Sequence, residues 1–231
     1  MSDVSNGPSP GAPVRHEIKV KVILADSTVE VHTVEVTNAT TAPGTGGQGG
    51  ACGRASVLFL HSGRFTSQHW LDLGTLDQVV SAGYRAVAID LPGKGQTPQS
   101  IDRTLNADFL DALVQAKGLS NLVIVSPSSS GRYSLPYLFR DAQSSTGRAL
   151  GFVPIAPGGS KDFRDKYSES KLQTLIVYGT DDPEGPTILE DLKLLPKSEI
   201  FPLVGAGHAC YMDQPAVFHE ALLGFLGKLA V

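Results

Sequence analysis

The first strand-like segment of the chain alternates apolar and polar side chains with a period of two. Apolar residues occupy every second position from Ile18 to Leu24, and Lys19 and Lys21 lie between the first of them. A second run of short alternation covers Val29–Val36, after a polar turn. Because this pattern is typical of a strand with one buried face, the two runs predict an antiparallel β-hairpin.

Polar and glycine-rich segments flank this hairpin. Residues 1–15 are rich in Ser, Gly and Pro and are predicted to form a flexible tail. Residues 37–55 are rich in Gly and Thr and are predicted to form a loop insertion. This loop does not separate two domains, because a two-stranded hairpin is not stable by itself. We therefore expect residues 16–231 to form a single domain.

Beyond the loop, short continuous apolar runs replace the alternation. Such runs are typical of strands that are buried on both faces of a parallel sheet. Strand candidates lie at 56–60, 85–90, 121–125, 151–156, 174–179 and 199–204. Apolar residues at helical spacing lie between them or follow them, at 70–83, 105–118, 132–140, 187–195 and 216–229. Strands that alternate with helices predict a mostly parallel central sheet with helices on both faces.

Composition and charge narrow the function classes. The chain of 231 residues is 41% apolar and can bury a substantial core. A net charge of −4 without a basic cluster argues against a nucleic-acid or membrane-surface binder. No apolar run reaches the ~20 residues of a membrane span, and no secretory signal is recognisable, so we expect a cytoplasmic protein. Two cysteines are too few for a thiolate metal site, and we expect neither a metal nor a required cofactor.

A serine-rich turn follows the strand candidate at 121–125. Residues 126–130 are Ser-Pro-Ser-Ser-Ser, and Gly131 and a predicted helix come next. This order suits a nucleophile elbow, whose crowded backbone requires small residues two positions before and after the nucleophile. Ser128 has serine at both positions, whereas Ser129 has a proline and a glycine, so the pattern favours Ser128. A serine-rich helix cap without chemistry is the simpler alternative.

Two later loops contain partners for a catalytic serine. Asp181 and Asp182 follow one predicted strand, and His208 follows the last one, among small residues. The carboxyl ends of parallel strands meet at one edge of the sheet, where open sheets bind their ligands. The order Ser, Asp, His is that of the α/β-hydrolases, in which the acid orients the histidine. By position alone, either aspartate fits.

An oxyanion hole requires two backbone N–H groups that point at the developing negative charge. One belongs to the residue after the nucleophile, here Ser129, and the other to the loop after strand 56–60. In that loop Gly63 is the first candidate donor and Arg64 the second.

Two other reactive side chains are interpreted as structural. His61 precedes the nucleophile in the chain, so we expect it to brace its loop. Cys210 is expected to be a buried thiol, since the elbow already supplies a nucleophile. The Gly93-Lys94-Gly95 sequence lacks the frame of a phosphate-binding loop.

These motifs resemble the α/β-hydrolase-domain-containing protein 14 family, and in particular its factor B-like serine hydrolases. The resemblance covers most of residues 56–216 and includes the segments LFLHSGRFTSQHW, VIVSPSSSGRYSLPYL, LIVYGTDDPEG and GAGHACYMDQP. The family has S-x-S-x-S at its elbow. The resemblance therefore implies that Ser128 is the nucleophile, Asp182 the acid and His208 the base. Ser62 stands where glycine is commoner, which concerns the oxyanion loop only.

The resemblance implies an α/β-hydrolase fold and a serine hydrolase of the carboxylesterase or deacetylase type, acting on short acyl groups through an acyl-enzyme. It also allows acetyl transfer from protein lysine to coenzyme A, a transcription-related protein partner, and residence in the cytoplasm or nucleus. The stretch between Pro157 and Lys171 is too short for a substantial lid, so we expect an open site. The alternative is a protein-interaction module with residual esterase activity.

Overall fold

The described part of the chain, residues 13–38, 55–140 and 145–230, is built around one eight-stranded sheet in a computed structural model. The strands are β1 (Pro13–Ile23), β2 (Thr28–Asn38), β3 (Ser56–Phe59), β4 (Arg85–Ile89), β5 (Val123–Pro127), β6 (Gly151–Ile155), β7 (Gln173–Gly179) and β8 (Ser198–Leu203). Their order in the sheet is β1-β2-β4-β3-β5-β6-β7-β8. Strands β3 to β8 are mutually parallel, whereas β2 runs antiparallel to both β1 and β4. The predicted mostly parallel sheet with an N-terminal hairpin is confirmed.

Helices connect the strands and cover both faces of the sheet. Within the described ranges the α-helices are α1 (Gln68–Asp72), α2 (Thr75–Ser81), α3 (Asn106–Ala116), α4 (Gly131–Phe139), α5 (Ser145–Arg148), α6 (Arg164–Tyr167), α7 (Gly185–Leu192), α8 (Cys210–Asp213) and α9 (Pro215–Lys228). Short 3-10 turns are present at Arg103–Leu105, Ser128–Ser130 and Ser160–Phe163. No helix in these ranges has the length and apolar character needed to cross a membrane.

The hairpin strands are longer than the alternation predicted. Pro13 pairs with Asn38, so residues 13–15 belong to β1 and not to the predicted tail. Thr37 likewise continues β2 rather than beginning the predicted loop. The rest of the tail and residues 39–54 of the loop lie outside the described residues.

The central strands are buried on both faces, and successive side chains enter different halves of the core. In β3, Leu58 packs with the cluster that includes α3, α4 and α7, whereas Val57 and Phe59 pack with the cluster that includes α1, α2 and α9. This division explains the continuous apolar runs, because a strand between two helical layers has no solvent face. Strand β8 is different: it lies at the sheet edge, and Ile200 is 47% exposed.

The helix predicted at 70–83 is interrupted, which corrects the sequence analysis. It consists of α1 and α2, and Gly74 between them has a φ of 70°. This left-handed conformation is readily accessible to glycine and ends the regular helical path. Gly83, with a φ of 89°, follows the end of α2, as the sequence predicts.

The proline inside α4 is accommodated by a side chain from α3. Pro136 has no N–H group to donate to the carbonyl of Arg132, one turn earlier. The Asn106 amide donates a hydrogen bond to that carbonyl at 3.1 Å. The helix therefore continues through the proline, and its first turn is fixed to the beginning of α3.

Candidate active site

Ser128 lies immediately after β5 in a strained backbone conformation. Its φ is 51°, in the left-handed region that residues with a side chain rarely adopt. The chain then enters a 3-10 turn and α4 without an intervening loop. A sharp strand-to-helix turn of this kind exposes the central side chain at the carboxyl edge of the sheet.

His208 lies between Ser128 and Asp182 and hydrogen-bonds to both. Its Nε2 is 2.8 Å from the Ser128 Oγ, and its Nδ1 is 2.7 Å from the Asp182 Oδ2. With Nδ1 protonated, the ring donates to the carboxylate and presents Nε2 as an acceptor for the serine hydroxyl. The structure thus brings together the three predicted triad residues in the geometry needed for proton transfer from serine to histidine.

The structure distinguishes the two neighbouring aspartates. Asp182 is 3% exposed; its Oδ1 accepts the backbone N–H of Glu184 at 3.1 Å and its Oδ2 faces His208. Asp181 is exposed, and its carboxylate accepts a hydrogen bond from the neighbouring Thr180 hydroxyl. Only Asp182 therefore has a geometry that orients the imidazole.

The loop that carries His208 crosses closely over the end of β7. A Cβ atom on Gly179 would lie 2.2 Å from the carbonyl oxygens of both Ala206 and Gly207, so only glycine fits there. The loop is further held by the N–H of Gly207, which donates to the Asp213 carboxylate at 2.8 Å. These contacts place the histidine above the strand that leads to Asp182.

The flanking serines of the elbow are buried and bonded to each other. The Ser126 Oγ lies 3.0 Å from the Ser130 Oγ and 2.7 Å from the Ser134 Oγ, and Ser130 donates to the Pro127 carbonyl. Serine is therefore small enough for these positions, and the buried hydroxyls form hydrogen bonds with one another and with the Pro127 carbonyl.

The helix that follows Ser128 packs directly against the loop after β6. A Cβ atom on Gly131 would lie 2.6 Å from the Gly158 carbonyl oxygen and 2.7 Å from the Pro157 Cβ. The N–H of Gly158 donates to the Ser128 carbonyl at 2.8 Å. This hydrogen bond stabilises the strained backbone conformation of Ser128. The sequence did not predict this contact. The adjacent Gly158-Gly159 pair after a buried strand was the available signal for such a close approach.

A cavity of about 470 Å³ opens beside the serine and histidine. The two predicted oxyanion donors, Gly63 and Ser129, and the alternative donor Arg64 all line it. Gly63 and Ser129 are close together, because a Cβ atom on Gly63 would lie 3.1 Å from the Ser129 Oγ. Both backbones thus border the cavity into which Ser128 projects.

Tyr211 forms a wall of this cavity that the sequence analysis did not identify. It lines the cavity, stacks on Trp70 with 4.7 Å between ring centroids, and forms a side-chain hydrogen bond with Ser62. Burial raises the pKa of the Tyr211 hydroxyl, which is therefore a neutral hydrogen-bonding group. The serine in the glycine position of the family pattern thus links this wall to the oxyanion loop. In the sequence, Tyr211 comes directly after the loop of small residues that carries His208, and this could have indicated a place in the site. An aromatic residue at such a position is equally typical of the hydrophobic core, so the sequence did not distinguish the two.

His61 is buried and joins two loops. Its Nδ1 is 2.8 Å from the Ser62 carbonyl oxygen, and the N–H of Leu91 donates to its Nε2 at 2.9 Å. Burial lowers the pKa of His61, because the charged ring would lose its hydration. Both ring nitrogens are occupied by backbone groups, which is the bracing arrangement predicted for this histidine.

The cysteine in the described residues, Cys210, is a buried free thiol. Cys210 is buried within the core, and burial raises the pKa of its thiol to about 12. A thiol with such a pKa is protonated at neutral pH and is a poor nucleophile. Within residues 13–38, 55–140 and 145–230, no cluster of three or more His, Cys, Asp or Glu side chains is arranged to hold a metal ion.

The segment between β6 and β7 is folded back on the protein rather than across the cavity. Asp191 on α7 accepts hydrogen bonds from Ser160, at 2.7 Å, and from Arg164, at 2.5 Å. Tyr167 is fully buried and donates to the Ser160 carbonyl. The part of the chain between β6 and β7 therefore does not cover His208, whose side chain is 43% exposed.

Sequence comparison finds relatives along most of the chain. The chain is 41% identical to rat "Putative protein-lysine deacylase ABHD14B" over 215 residues, which cover 90% of this chain and 99% of the rat protein. It is 46% identical to the human protein of that name over 76% of this chain and 85% of the human one. Zebrafish "Protein ABHD14A" is 42% identical over 76% of this chain and 66% of that protein. A comparison with models of protein families finds no match.

Solved structures with low sequence identity share the fold. A "predicted CIB-like hydrolase" from Thermoplasma acidophilum superposes with a TM-score of 0.79 at 21% identity, over 94% of this chain and all of that one. The naproxen esterase of Bacillus subtilis has a TM-score of 0.69 at 15% identity, over 94% and 92% of the two chains. At these identities the likeness shows the α/β-hydrolase fold alone.

Proposed function

Because the chain belongs to the α/β-hydrolase-domain-containing protein 14 family, we propose that it is a serine hydrolase that removes short acyl groups through Ser128, His208 and Asp182. The observation that carries this proposal is the continuous hydrogen-bonded chain from Asp182 through His208 to Ser128. The relatives named as protein-lysine deacylases support the same reaction class, in which an acyl carbonyl is attacked.

Acylation begins with the Ser128 hydroxyl. As its Oγ forms a bond to the acyl carbonyl carbon, its proton passes to His208 Nε2, 2.8 Å away. The imidazolium that forms is stabilised by the Asp182 carboxylate, which also keeps the ring in the required tautomer. His208 then delivers the proton to the leaving amine or alcohol, and the bond between that group and the carbonyl carbon breaks.

The tetrahedral intermediate carries a negative charge on the former carbonyl oxygen. The backbone N–H groups of Ser129 and Gly63 are the proposed donors to this oxygen, since both residues border the cavity beside Ser128. Both donors are backbone groups, so no side chain has to change rotamer as the charge develops. One such donor typically contributes ~10²–10³ in turnover.

Release of the acyl group repeats the sequence with a new nucleophile. Water, or the thiol of coenzyme A, gives its proton to His208 and bonds to the acyl carbon, and the Ser128 oxygen leaves with that proton. When water is the acceptor the product is a carboxylic acid, and when the thiol is the acceptor the product is a thioester. We include coenzyme A as the acceptor in the proposal because of the family resemblance, and no cofactor is needed for hydrolysis itself.

The size of the acyl group follows from the shape of the site. The cavity of about 470 Å³ has no described lid segment over it, and Phe65, Pro127 and Tyr211 contribute apolar surface near the serine. A long acyl chain would leave most of its length in water, whereas a short one would be largely covered. Acetyl and similarly short groups, on esters or on lysine side chains, are therefore the proposed substrates.

The test compares the wild-type protein with the Ser128→Ala and Ser129→Ala variants. Each is incubated with 4-nitrophenyl acetate and, separately, with a fluorescent serine-directed phosphonate, after circular dichroism has shown that each is folded. The Ser128→Ala variant should lose turnover by at least ~10³-fold and all phosphonate labelling. The Ser129→Ala variant should keep both, because only its backbone N–H is used.

The opposite results have defined meanings. If Ser129→Ala removes labelling and Ser128→Ala does not, the nucleophile is assigned to the wrong serine. If folded wild-type protein neither turns over the ester nor reacts with the phosphonate, the hydrolase proposal is wrong and an interaction module is the better description.

A further inference from the structure

A second cavity, of about 240 Å³, adjoins the one beside the triad. Gly63 and Ser129 line both cavities, so the proposed oxyanion hole forms the boundary between them. A molecule whose acyl carbonyl lies in the oxyanion hole therefore has two directions in which to extend. One leads past His208 and the other leads into the second cavity.

The second cavity is lined by three cationic side chains. They are Lys94 from the loop after β4, Arg103 from the 3-10 turn before α3, and Arg132 from the first turn of α4. A fourth, Arg64, lines the first cavity. Among the described residues that line the two cavities there is no Asp or Glu. This concentration of positive charge contrasts with the net charge of −4 on the whole chain.

These four cations differ from many others in the described ranges because no salt bridge to a carboxylate is found for them there. None of the four forms an ion pair with any residue in the described ranges. By contrast, Arg85 and Lys117 share the buried Glu35 carboxylate. Asp102, the chain neighbour of Arg103, accepts two hydrogen bonds from Thr104; these bonds and, to a smaller extent, the Arg103 charge lower the pKa of Asp102. Three positive charges on the lining of a cavity, with no carboxylate in that lining, favour an anionic ligand there.

Hydrogen bonds hold the segments that line the second cavity together in two pairs, α3 with α4 and the loop after β3 with the loop after β4. The Asn106 side chain, which lines the cavity, donates to the Arg132 carbonyl that Pro136 leaves without a helical donor. His61, which also lines the cavity, joins the loops after β3 and β4 through its two ring nitrogens. A preformed site loses less conformational entropy on binding than a flexible one.

We propose that this second cavity is an anion subsite, in which Lys94, Arg103 and Arg132 bind a phosphate or carboxylate group carried by the acyl donor or by the acyl acceptor. The inference rests on the proposed function, because it places the anion relative to an acyl group in the oxyanion hole. Arginine and lysine bind both anions by charge-assisted hydrogen bonds, and the paired donors of arginine suit their oxygen atoms. The protein thus selects substrates by charge at a position away from the bond that breaks.

Two matched pairs of substrates separate the two sources of the anion. The acyl-donor pair is 4-nitrophenyl acetate and 4-nitrophenyl hydrogen succinate, which carries a carboxylate on its acyl group. The acceptor pair is pantetheine and pantetheine 4′-phosphate, with transfer from 4-nitrophenyl acetate measured as thioester formed. Each pair is measured on wild type and on the double variant Arg103→Gln/Arg132→Gln. The control is Lys161→Gln/Lys197→Gln, which removes two positive charges from exposed positions that line neither cavity.

For at least one pair, the wild-type protein should favour the anionic member by roughly tenfold in kcat/KM. The double variant should lose most of this preference while its turnover of neutral 4-nitrophenyl acetate stays near wild type, and the control should retain the preference. Added salt should reduce it. Preference in the first pair assigns the anion to the donor, and preference in the second assigns it to the acceptor. If the substrates of both pairs are turned over but neither pair shows a preference that Arg103 and Arg132 control, the subsite is refuted and the hydrolase proposal is unaffected.

A direct binding measurement keeps this test independent of turnover. Inorganic pyrophosphate is titrated calorimetrically into the folded Ser128→Ala variant, alone and with Arg103→Gln/Arg132→Gln added. Binding that the two substitutions weaken by roughly tenfold supports the subsite even if no ester is hydrolysed. Equal binding, or none to either protein, contradicts it.

Discussion

The hydroxyl oxygens of Ser126 and Ser130 lie 3.0 Å apart, on either side in sequence of the strained residue Ser128. They occupy the positions two before and two after Ser128, where the usual nucleophile elbow has glycines. Ser134, one helical turn further, extends the contact through its 2.7 Å bond to Ser126. The serine-rich motif therefore builds a buried hydroxyl cluster that joins the end of β5 to α4.

The cluster should contribute measurably to stability without taking part in catalysis. Ser126→Ala removes the partner of the buried Ser134 hydroxyl, so the free energy of unfolding should fall by ~1 kcal/mol. The double variant Ser126→Ala/Ser134→Ala should cost less than the sum of the single variants, because no hydroxyl is left without this partner. Urea unfolding of the four proteins measures the coupling, and strict additivity would contradict it. Turnover of 4-nitrophenyl acetate should stay near wild type in all four.

Asp182 and Asp181 form a matched pair for testing the acid. Asp182→Asn removes the negative charge next to the His208 Nδ1 and destabilises the imidazolium, so kcat should fall by ~10³–10⁴-fold. Asp181→Asn makes the same chemical change at an exposed neighbour and should leave kcat near wild type. Steady-state turnover of 4-nitrophenyl acetate measures both. A similar loss of kcat in the two variants would show that kcat depends on negative charge near the loop after β7, and not on the contact between Asp182 and His208.

Replacing Gly131, at the start of α4, should destabilise the protein and displace the elbow. In Gly131→Ala the added Cβ would meet the Gly158 carbonyl and Pro157, which lie on a well-packed loop. We expect the free energy of unfolding to fall by ~1–3 kcal/mol and phosphonate labelling of Ser128 to slow, because the elbow must shift. Gly227→Ala in α9 is the control: nothing lies within 4 Å of the added carbon, and the helix should gain ~0.5–1 kcal/mol. Thermal melts and labelling rates compare the two, and unchanged labelling in Gly131→Ala would contradict the close packing.

The buried His61 should make stability fall as the pH is lowered. Burial holds its pKa in the folded protein below the ordinary value, so the unfolded chain binds a proton that the folded one does not. Stability is therefore fully present above the unfolded pKa of ~6.5 and is lost as the pH falls below it. Denaturant unfolding at pH 7.5 and pH 5.5 should show a smaller loss in His61→Asn than in wild type. His219, whose pKa is also lowered by burial, contributes equally to both proteins, so equal losses would refute the assignment to His61.

The order of the elements and the spacing of the triad residues were predictable from the sequence for a local reason. Each apolar run of the central sheet follows directly from burial between two helical layers, as the alternate contacts of Leu58 and Phe59 show. The carboxyl ends of parallel strands share one edge, so residues that follow β5, β7 and β8 were expected to meet. Breaks inside helices were less predictable. The apolar residues keep their helical spacing across Gly74, whereas the backbone at Gly74 leaves the helical conformation.

The sequence by itself determined the fold class, the N-terminal hairpin and the loops on which reactive residues lie, because these depend on periodicity and on residues adjacent in the chain. Tertiary structure decided which of two consecutive aspartates reaches His208, since one carboxylate is buried toward the ring and the other faces solvent. It also decided that Lys94, Arg103 and Arg132, which belong to three separate segments, line one cavity. Such convergence depends on how loops pack in space, and no local pattern of side chains specifies it.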